Sequence, residues 1–510
     1  MVKFFNRPYK KYKICFYPDT MSIFRVDKIA GDVLSLKEKG FGRESIIKKL
    51  SKKYRVDTVN KAFHEIETIS SKRFFKKIKF SEWSNIDEKI KYKTINSIDI
   101  YLAHICNMAC SYCSNKGGSF NIPFEKKMMS WKTAKAALDW FFNQKREERY
   151  PLTVCFFGGE PLLNKNIFKK SIRYIHEKWR YKIDVPLRVI LSTNGTLLDK
   201  DILGVISKYK CQINVSLDAS KEEHDRERVF KNLTNTYDII SNNIKYSQKM
   251  FPDIPITISS TANQGTSFTN IFERNSVDSY SKTRYRFNME HSIAGNKDNS
   301  RLFFCRLQRH LKRYYVNRLK NRKSFIFMDP ESFGVFNSRS DKRIVCGAGI
   351  SKAAVIANGD IYICAMSIFD KKFKIGSVFA GLSDRGLNKI REIYKKLHRA
   401  RAKYCFKCWA RMNCPGGCIL PQKSGHQKSR FAEKEDKNFI CDIQRLCLEY
   451  CIRSYETINA KDAENHFEGI LNCGRPGRGR LGSDDNITPL YLYRDLVNAK
   501  FRHIRCLNPF

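Results

Sequence analysis

Cys106, Cys110 and Cys113 stand in the pattern C-x3-C-x2-C. Thiolates this close in sequence converge on one soft metal centre. Three ligands are one short of a closed tetrahedral zinc or iron–sulfur site, so an iron held by these three keeps a position open. An open iron can chelate a ligand and pass it an electron. The competing reading is a structural zinc completed by a distant side chain such as His104.

A second set of cysteines lies further along. Cys346 is followed by twelve residues, Gly359, four residues and Cys364; then come Cys405-x2-Cys408-x5-Cys414-x3-Cys418 and Cys441. The CxxC pair would suit one or two zinc ribbons; if the first cysteine set holds iron, seven further thiolates favour iron–sulfur chemistry. Cys15, Cys155, Cys211, Cys473 and Cys506 read as ordinary residues.

Composition bounds the classes open to the chain. At 510 residues it has room for about three domains, and a hydrophobic fraction of 42% excludes a largely disordered chain. No apolar run approaches the ~18 residues of a membrane span. The start, MVKFFNRPYKKY, has no apolar core of a secretion signal, so a cytoplasmic location is expected, and with it metal-binding cysteines rather than disulfides. Lys and Arg number 95 against 51 Asp and Glu, a net charge of +44. The lysines are spread through nearly every segment, which suits either a solvated surface or attraction to an acidic partner.

The elements that must position these residues alternate. Ile98–Ile105, Leu152–Phe157, Leu187–Thr193, Gln212–Leu217, Ile254–Ser260 and Arg284–Met289 read as strands. Amphipathic stretches intervene, such as 131–143 with Ser130 as its cap. Six strand–helix units predict a parallel sheet, an α/β partial (βα)6 TIM-like barrel over residues 95–330, with functional loops at the C-terminal strand ends. The first cysteine set follows the first of these strands. Before the barrel, residues 1–80 carry two short strands, Lys13–Tyr17 and Met21–Val26, then three apolar stripes at helical spacing, with Asp57 as cap of the third. This is a winged-helix-like order. The cysteine-rich region spans 343–451, and 452–510, with the basic run Gly474–Gly482, is unassigned.

The residues at successive strand ends resemble the radical S-adenosylmethionine (SAM) superfamily. Gly158-Gly159-Glu160-Pro161 ends the second strand, Ser192-Thr193-Asn194 the third, and Ser216-Leu217-Asp218 the fourth, followed by His224-Asp225 and Arg228; Ala219 stands where the family has Gly. The resemblance implies that Cys106, Cys110 and Cys113 hold a 4Fe-4S cluster whose open iron binds SAM. It also implies that Tyr112, Gly158, Gly159, Glu160, Ser192, Asn194, Ser216, Asp218 and Arg228 surround the cofactor, Glu160 at its ammonium. The seven later cysteines resemble the SPASM domain of peptide-modifying relatives. By that resemblance Cys405, Cys408, Cys414 and Cys441 hold one auxiliary 4Fe-4S cluster, and Cys346, Cys364 and Cys418 three corners of another. Its fourth ligand in sulfatase-maturing relatives falls at Ser340 here, leaving Cys305, Cys447, Cys451 or an open site.

Residues 12–71 resemble the RiPP recognition element, which implies that residues 1–80 bind the leader of a ribosomally made precursor peptide by pairing it to an edge strand. The expected activity is that of a radical SAM oxidoreductase maturing such a peptide, as in bacteriocin (sactipeptide) biosynthesis, by Cys sulfur-to-carbon thioether formation. Its partners would be the precursor and an electron donor such as flavodoxin or ferredoxin, with no specific nucleic acid. Sulfatase maturation is the alternative enzyme, disfavoured because Ala365 follows Cys364 where those relatives carry an Asp base. An iron–sulfur DNA-binding regulator is the non-catalytic alternative.

Overall fold

A computed structural model describes residues 3–6, 12–20, 22–71, 79–81, 95–113, 127–144, 151–263, 265–266, 283–289, 297–321, 347–412, 414, 437–454 and 504–506. Cys346, Cys418, Ser340 and the basic run 474–482 lie outside the described residues.

Six parallel strands form the centre: β4 (Ser97–Ala103), β5 (Leu152–Gly158), β6 (Leu187–Thr193), β7 (Gln212–Ser216), β8 (Ile256–Ala262) and β9 (Thr283–Met289). They lie side by side in chain order, because each parallel neighbour needs a crossover and helices supply it. The crossovers include α4 (Trp131–Phe142), α5 (Lys165–Tyr174), α6 (Lys200–Lys208), the short α7 (Lys221–Glu227) and α8 (Tyr237–Met250). Ser130 caps α4 as expected, its hydroxyl accepting from Thr133 N at 3.2 Å. The strands' period of two sorts their side chains. Ile98, Ile100, Val154, Phe156, Val189, Leu191, Ile213 and Val215 join one core with Ala134, Ala137, Leu138 and Phe141 of α4. The other face carries polar groups such as Asp99, Ser192, Asn214 and Ser216.

The sheet does not stop where the strand–helix rhythm fails. β10 (Lys352–Val355) pairs parallel to β4, and β11 (Asp360–Tyr362), β12 (Lys374–Ser377) and β13 (Gly381–Leu382) extend it antiparallel to ten strands. Lys352 Nζ reaches the buried Asp99 carboxylate at 3.0 Å across that junction. The cysteine-rich region is therefore continuous with the sheet that carries the first cysteine loop. Helices α9 (Lys297–Asn321), α10 (Asp384–Cys405) and α11 (Lys437–Ser454) complete this part, α9 and α11 packing through Phe303, Leu307, Ile443 and Leu446.

The N-terminal module holds β1 (Lys3–Asn6), β2 (Tyr12–Tyr17), β3 (Ser22–Asp27), α1 (Lys28–Glu38), α2 (Arg43–Leu50) and α3 (Val56–Ser71). The three apolar stripes meet in one core of Val33, Leu34, Ile46, Leu50, Phe63 and Ile66, which also takes Phe24 and Val26 from β3. Asp57 lies inside the first turn of α3 and does not cap it. Two strands were not visible in the sequence pattern: β1, and β14 (Ile504–Cys506), which pairs with β3 from the far end of the chain.

Candidate functional site

Beyond Ala103, β4 runs into the loop bearing Cys106, Cys110 and Cys113. Backbone bonds from Ala109 N to Val229 O (2.8 Å) and from Ser111 N to Glu227 O (2.9 Å) pin this loop against the end of α7. The three thiols are half-buried and none forms a disulfide. Burial pushes the Cys106 thiol up to about 11, opposed by donors at its sulfur: Met108 N at 3.4 Å and Asn194 Nδ2 at 3.7 Å. Burial also raises the Cys110 thiol, and the Arg228 guanidinium opposes it. Among the described residues no three His, Cys, Asp or Glu side chains are grouped as a formed metal site. The fit to a cluster rests on donor chemistry: three thiols on one loop, with N–H groups aimed at the first and a cation near the second, and the last two features favour thiolate.

The glycines at the end of β5 bring its backbone against this loop. A Cβ on Gly158, whose φ is +147°, would sit 2.2 Å from Ala103 O, and one on Gly159 would sit 2.4 Å from Ile105 O. With no side chain in the way, Gly159 N donates to Ala103 O and Glu160 N to Ile105 O, both at 2.9 Å. The close approach they permit is thus to the peptide just before Cys106.

Glu160 is fully buried, and its carboxylate joins two strand ends. One oxygen accepts from Leu162 N (2.9 Å) and Thr193 Oγ1 (2.8 Å), the other from Asn194 N (2.8 Å). Burial lifts its pKa to about 7, although all three donors favour the charged form. Expected at the SAM ammonium, this carboxylate is already engaged with protein donors, which leaves it about one further lone-pair direction. Asn194 links onward: its amide donates to Asn107 Oδ1 at 2.8 Å and accepts from Thr196 N at 2.9 Å, while Asn107 donates to Thr196 Oγ1 at 2.9 Å.

Asp218, just past β7, ties the opposite side. Its carboxylate accepts from Tyr112 OH (2.7 Å), Arg228 Nε (2.8 Å) and Thr261 N (2.7 Å). Burial acts to raise its pKa, yet Arg228 and these donors hold it below the ordinary value. The Arg228 guanidinium also stands 5.0 Å over the Tyr112 ring. Ser192 and Ser216 are half-buried on the polar face of β6 and β7. Every expected cofactor residue except Arg228, which follows α7 and reaches back to Asp218, therefore lies at or just beyond the C-terminal end of β5, β6 or β7, or on the cysteine loop. Asn107 and Thr261 belong to the same network and were not singled out from the sequence; Thr261's place at a strand end was the available signal.

The later cysteines divide. Cys364 follows β11, where Tyr101 OH of β4 donates to the next carbonyl, Ala365 O, at 2.9 Å. Cys405 ends α10, Cys408 and Cys414 lie on the loop after it, and Cys441 faces them from α11: its thiol is raised by burial, against Arg445, and further by Cys405 and Cys408. Cys447 is pushed to about 12 by burial, and Cys305 is exposed on α9. The loop 405–414 receives the N-terminal module. Ile14, Phe16 and Ile23, from the sheet face opposite the helices, pack with Ala410 and Met412, and Trp409 meets the Phe5 ring edge-on at 5.5 Å.

The sequence profile of the Radical SAM superfamily matches residues 100–262, from β4 to β8, and this segment is a radical SAM domain. A cysteine-type anaerobic sulfatase-maturating enzyme of Clostridium perfringens is 22% identical over 369 residues, 68% of this chain and 93% of that one. The antilisterial bacteriocin subtilosin biosynthesis protein AlbA of Bacillus subtilis is 23% identical over 62% of this chain and 66% of its own. The solved structure of anSMEcpe with bound AdoMet and Cp18Cys peptide superposes with a TM-score of 0.54 at 18% identity, covering 74% of this chain and 99% of that one. That likeness is one of fold, a radical SAM α/β fold with a parallel sheet. The chain spans 40%, 34% and 37% of the length of the first three curated relatives that it matches. The superfamily is one of enzymes and implies a 4Fe-4S cluster and SAM. No helix among the described residues is long and apolar enough to cross a membrane.

Proposed function

We propose that the chain is a cytoplasmic radical SAM oxidoreductase that matures a ribosomally made precursor peptide, joining Cys sulfur to carbon in a thioether crosslink. One observation carries the reading. The cysteine loop, the Gly158–Glu160 tract, Asn194 and the Asp218–Arg228 pair meet at the C-terminal ends of consecutive parallel strands, where this kind of sheet gathers its chemistry. Held there by Cys106, Cys110 and Cys113, a 4Fe-4S cluster with SAM would supply one-electron chemistry for taking a hydrogen atom from substrate.

The chain's own residues orient and enclose. Cys106, Cys110 and Cys113 are the ligands in this reading, with Met108 N and Asn194 as donors to the first sulfur. Gly158 and Gly159 hold the β5 end against the loop, and Glu160 locks that end to Asn194. Tyr112, clamped by Asp218 and Arg228, offers a fixed ring beside the third thiol. Ser192 and Ser216 present hydroxyls on the polar face. Cys405, Cys408, Cys414 and Cys441 would hold one auxiliary cluster, and Cys346, Cys364 and Cys418 part of another. Thioether formation removes one hydrogen atom, one proton and one electron from the peptide, and clusters held by these later cysteines would be able to accept that electron. Residues 1–80 capture the leader, and a flavodoxin or ferredoxin supplies the starting electron.

Sulfatase maturation is the second reading, favoured by the long alignment with the clostridial enzyme. The test is anaerobic incubation with SAM, a reductant and a Cys-containing precursor peptide sought among the neighbouring reading frames. Release of 5′-deoxyadenosine with loss of two hydrogens from the peptide is expected. Formylglycine made on a sulfatase peptide instead would replace the lead reading.

A further inference from the structure

The sheet of the N-terminal module has the order β1-β2-β3-β14. Its β3 edge, on the side next to α3, is covered by the chain itself. β14 runs antiparallel to β3 with Ile504 opposite Val26, Arg505 opposite Arg25 and Cys506 opposite Phe24, and it lies against α3. An uncovered edge strand offers its N–H and C=O groups to any extended chain. Here that position is filled from the opposite end of the sequence.

The filling strand is a poor match for the edge. It spans three residues, where β3 spans six. Its register sets Arg505 opposite Arg25, and like charges directly opposed weaken a strand pair. The surroundings compound this. Residues 1–80 hold 21 Lys and Arg against 8 Asp and Glu, and residues 496–510 add three Lys and Arg with no Asp or Glu. Backbone pairing opposed by charge is sustained by tethering, which presents a segment at an effective concentration up to the order of millimolar.

We propose that residues 504–506 are a displaceable internal occupant of the β3 edge, and that the partner which displaces them is an extended peptide with an acidic residue opposite Arg25; the partner's nature rests on reading residues 1–80 as a peptide-binding element. The occupant sets a threshold. A competing strand binds with an apparent affinity reduced by the fraction of molecules whose edge is open. An acidic strand replaces the Arg–Arg opposition with an opposite-charge pair, a neutral strand only relieves it, and a basic strand gains nothing over the resident one.

The probe is a fluorescent synthetic peptide of residues 499–510, followed by anisotropy. It is presented to the full chain, to a chain lacking residues 496–510, and to full-length Arg505→Glu. Hydrogen exchange at residues 24–26 is measured in all three. The shortened chain is expected to bind the peptide at least about tenfold more tightly than the full chain. Residues 24–26 should exchange faster in the shortened chain and more slowly in Arg505→Glu, whose own strand pairs better. A probe peptide carrying Arg505→Glu should bind the shortened chain more tightly than the unaltered one. Equal peptide binding by full and shortened chains, or unchanged exchange at residues 24–26, overturns the occupancy. A Glu probe that binds no better overturns the acidic partner. None of these measurements uses a precursor peptide or SAM, so their failure and that of the maturase reading are separately visible.

Discussion

Asp19, in the turn between β2 and β3, forms a buried ion pair with Arg411 in the second cysteine loop, 392 positions away. Arg411 also donates to Cys408 O at 3.3 Å. A charge pair taken out of water holds only while both partners are present. Asp19→Ala should therefore cost about 3–5 kcal/mol by stranding the guanidinium. The module would then melt before the rest, so calorimetry should show two transitions where the parent shows one. A single unshifted transition would mean that the pair does not couple these parts.

Iron content tests the ligand sets. Three four-iron clusters would bring on the order of twelve irons per chain after anaerobic reconstitution. Replacing Cys106, Cys110 and Cys113 together with Ala should leave about eight and abolish 5′-deoxyadenosine formation. Zinc in place of iron would reverse the assignment.

Gly159→Ala should act on the same cluster without touching a ligand. The added methyl group would meet Ile105 O at 2.4 Å, so the loop before Cys106 must shift. Expected are a loss of about 2 kcal/mol or more in stability and a fall in the first cluster's iron, with the auxiliary iron retained. Normal iron content would show that the loop can absorb the shift.

Glu160 carries a pH dependence of known sign. Burial raises its folded pKa to about 7 from 4.5, so the folded state holds the proton more firmly than the unfolded chain. The resulting stability is fully present below about pH 4.5 and is lost as pH rises through about 7, a swing of about 3 kcal/mol. Melting curves of metal-free parent and Glu160→Gln, taken from pH 4 to 8, should converge at low pH and separate as it rises. Parallel curves would place the carboxyl's pKa near its unfolded value.

Arg228 and Asp218 are both buried, with side chains 9% and 5% exposed. Arg228→Met should strip Asp218 of its charged donor while Tyr112 and Thr261 still donate to it, and cost about 3–5 kcal/mol. Adding Asp218→Ala should recover part of that loss, because neither charge is then stranded. A double variant whose loss equals the sum of the singles would mean that the two side chains act independently.

The parts of the fold legible in the sequence were those with a repeating period. All six parallel strands were expected within a few residues, because short apolar runs, with Ile98 and Ile213 between polar neighbours, are separated by helical stripes. The strand-end residues followed from that rhythm. Strands β1, β10 and β14, of three or four residues each, have too few alternations to register. Their existence depends on partners distant in sequence, as with Lys352 beside Asp99. The expected role of Glu160 reflects the same limit: its residue type was legible, while the three donors that occupy it come from Leu162, Thr193 and Asn194.

The pairing of β10 with β4 bears on how the chain emerges from the ribosome. Strand β4 is finished early in synthesis, yet its outer edge has no hydrogen-bonding partner until Lys352–Val355 has been made. During that interval Ile98, Ile100 and Leu102 belong to an apolar strand with a bare flank, the kind of segment that chaperones hold and that aggregates nucleate on. A gene fragment ending at residue 330 would make this condition permanent. It should accumulate in inclusion bodies, and co-expression of residues 343–451 as a separate chain is the direct way to ask whether the segment bearing β10 can rescue it.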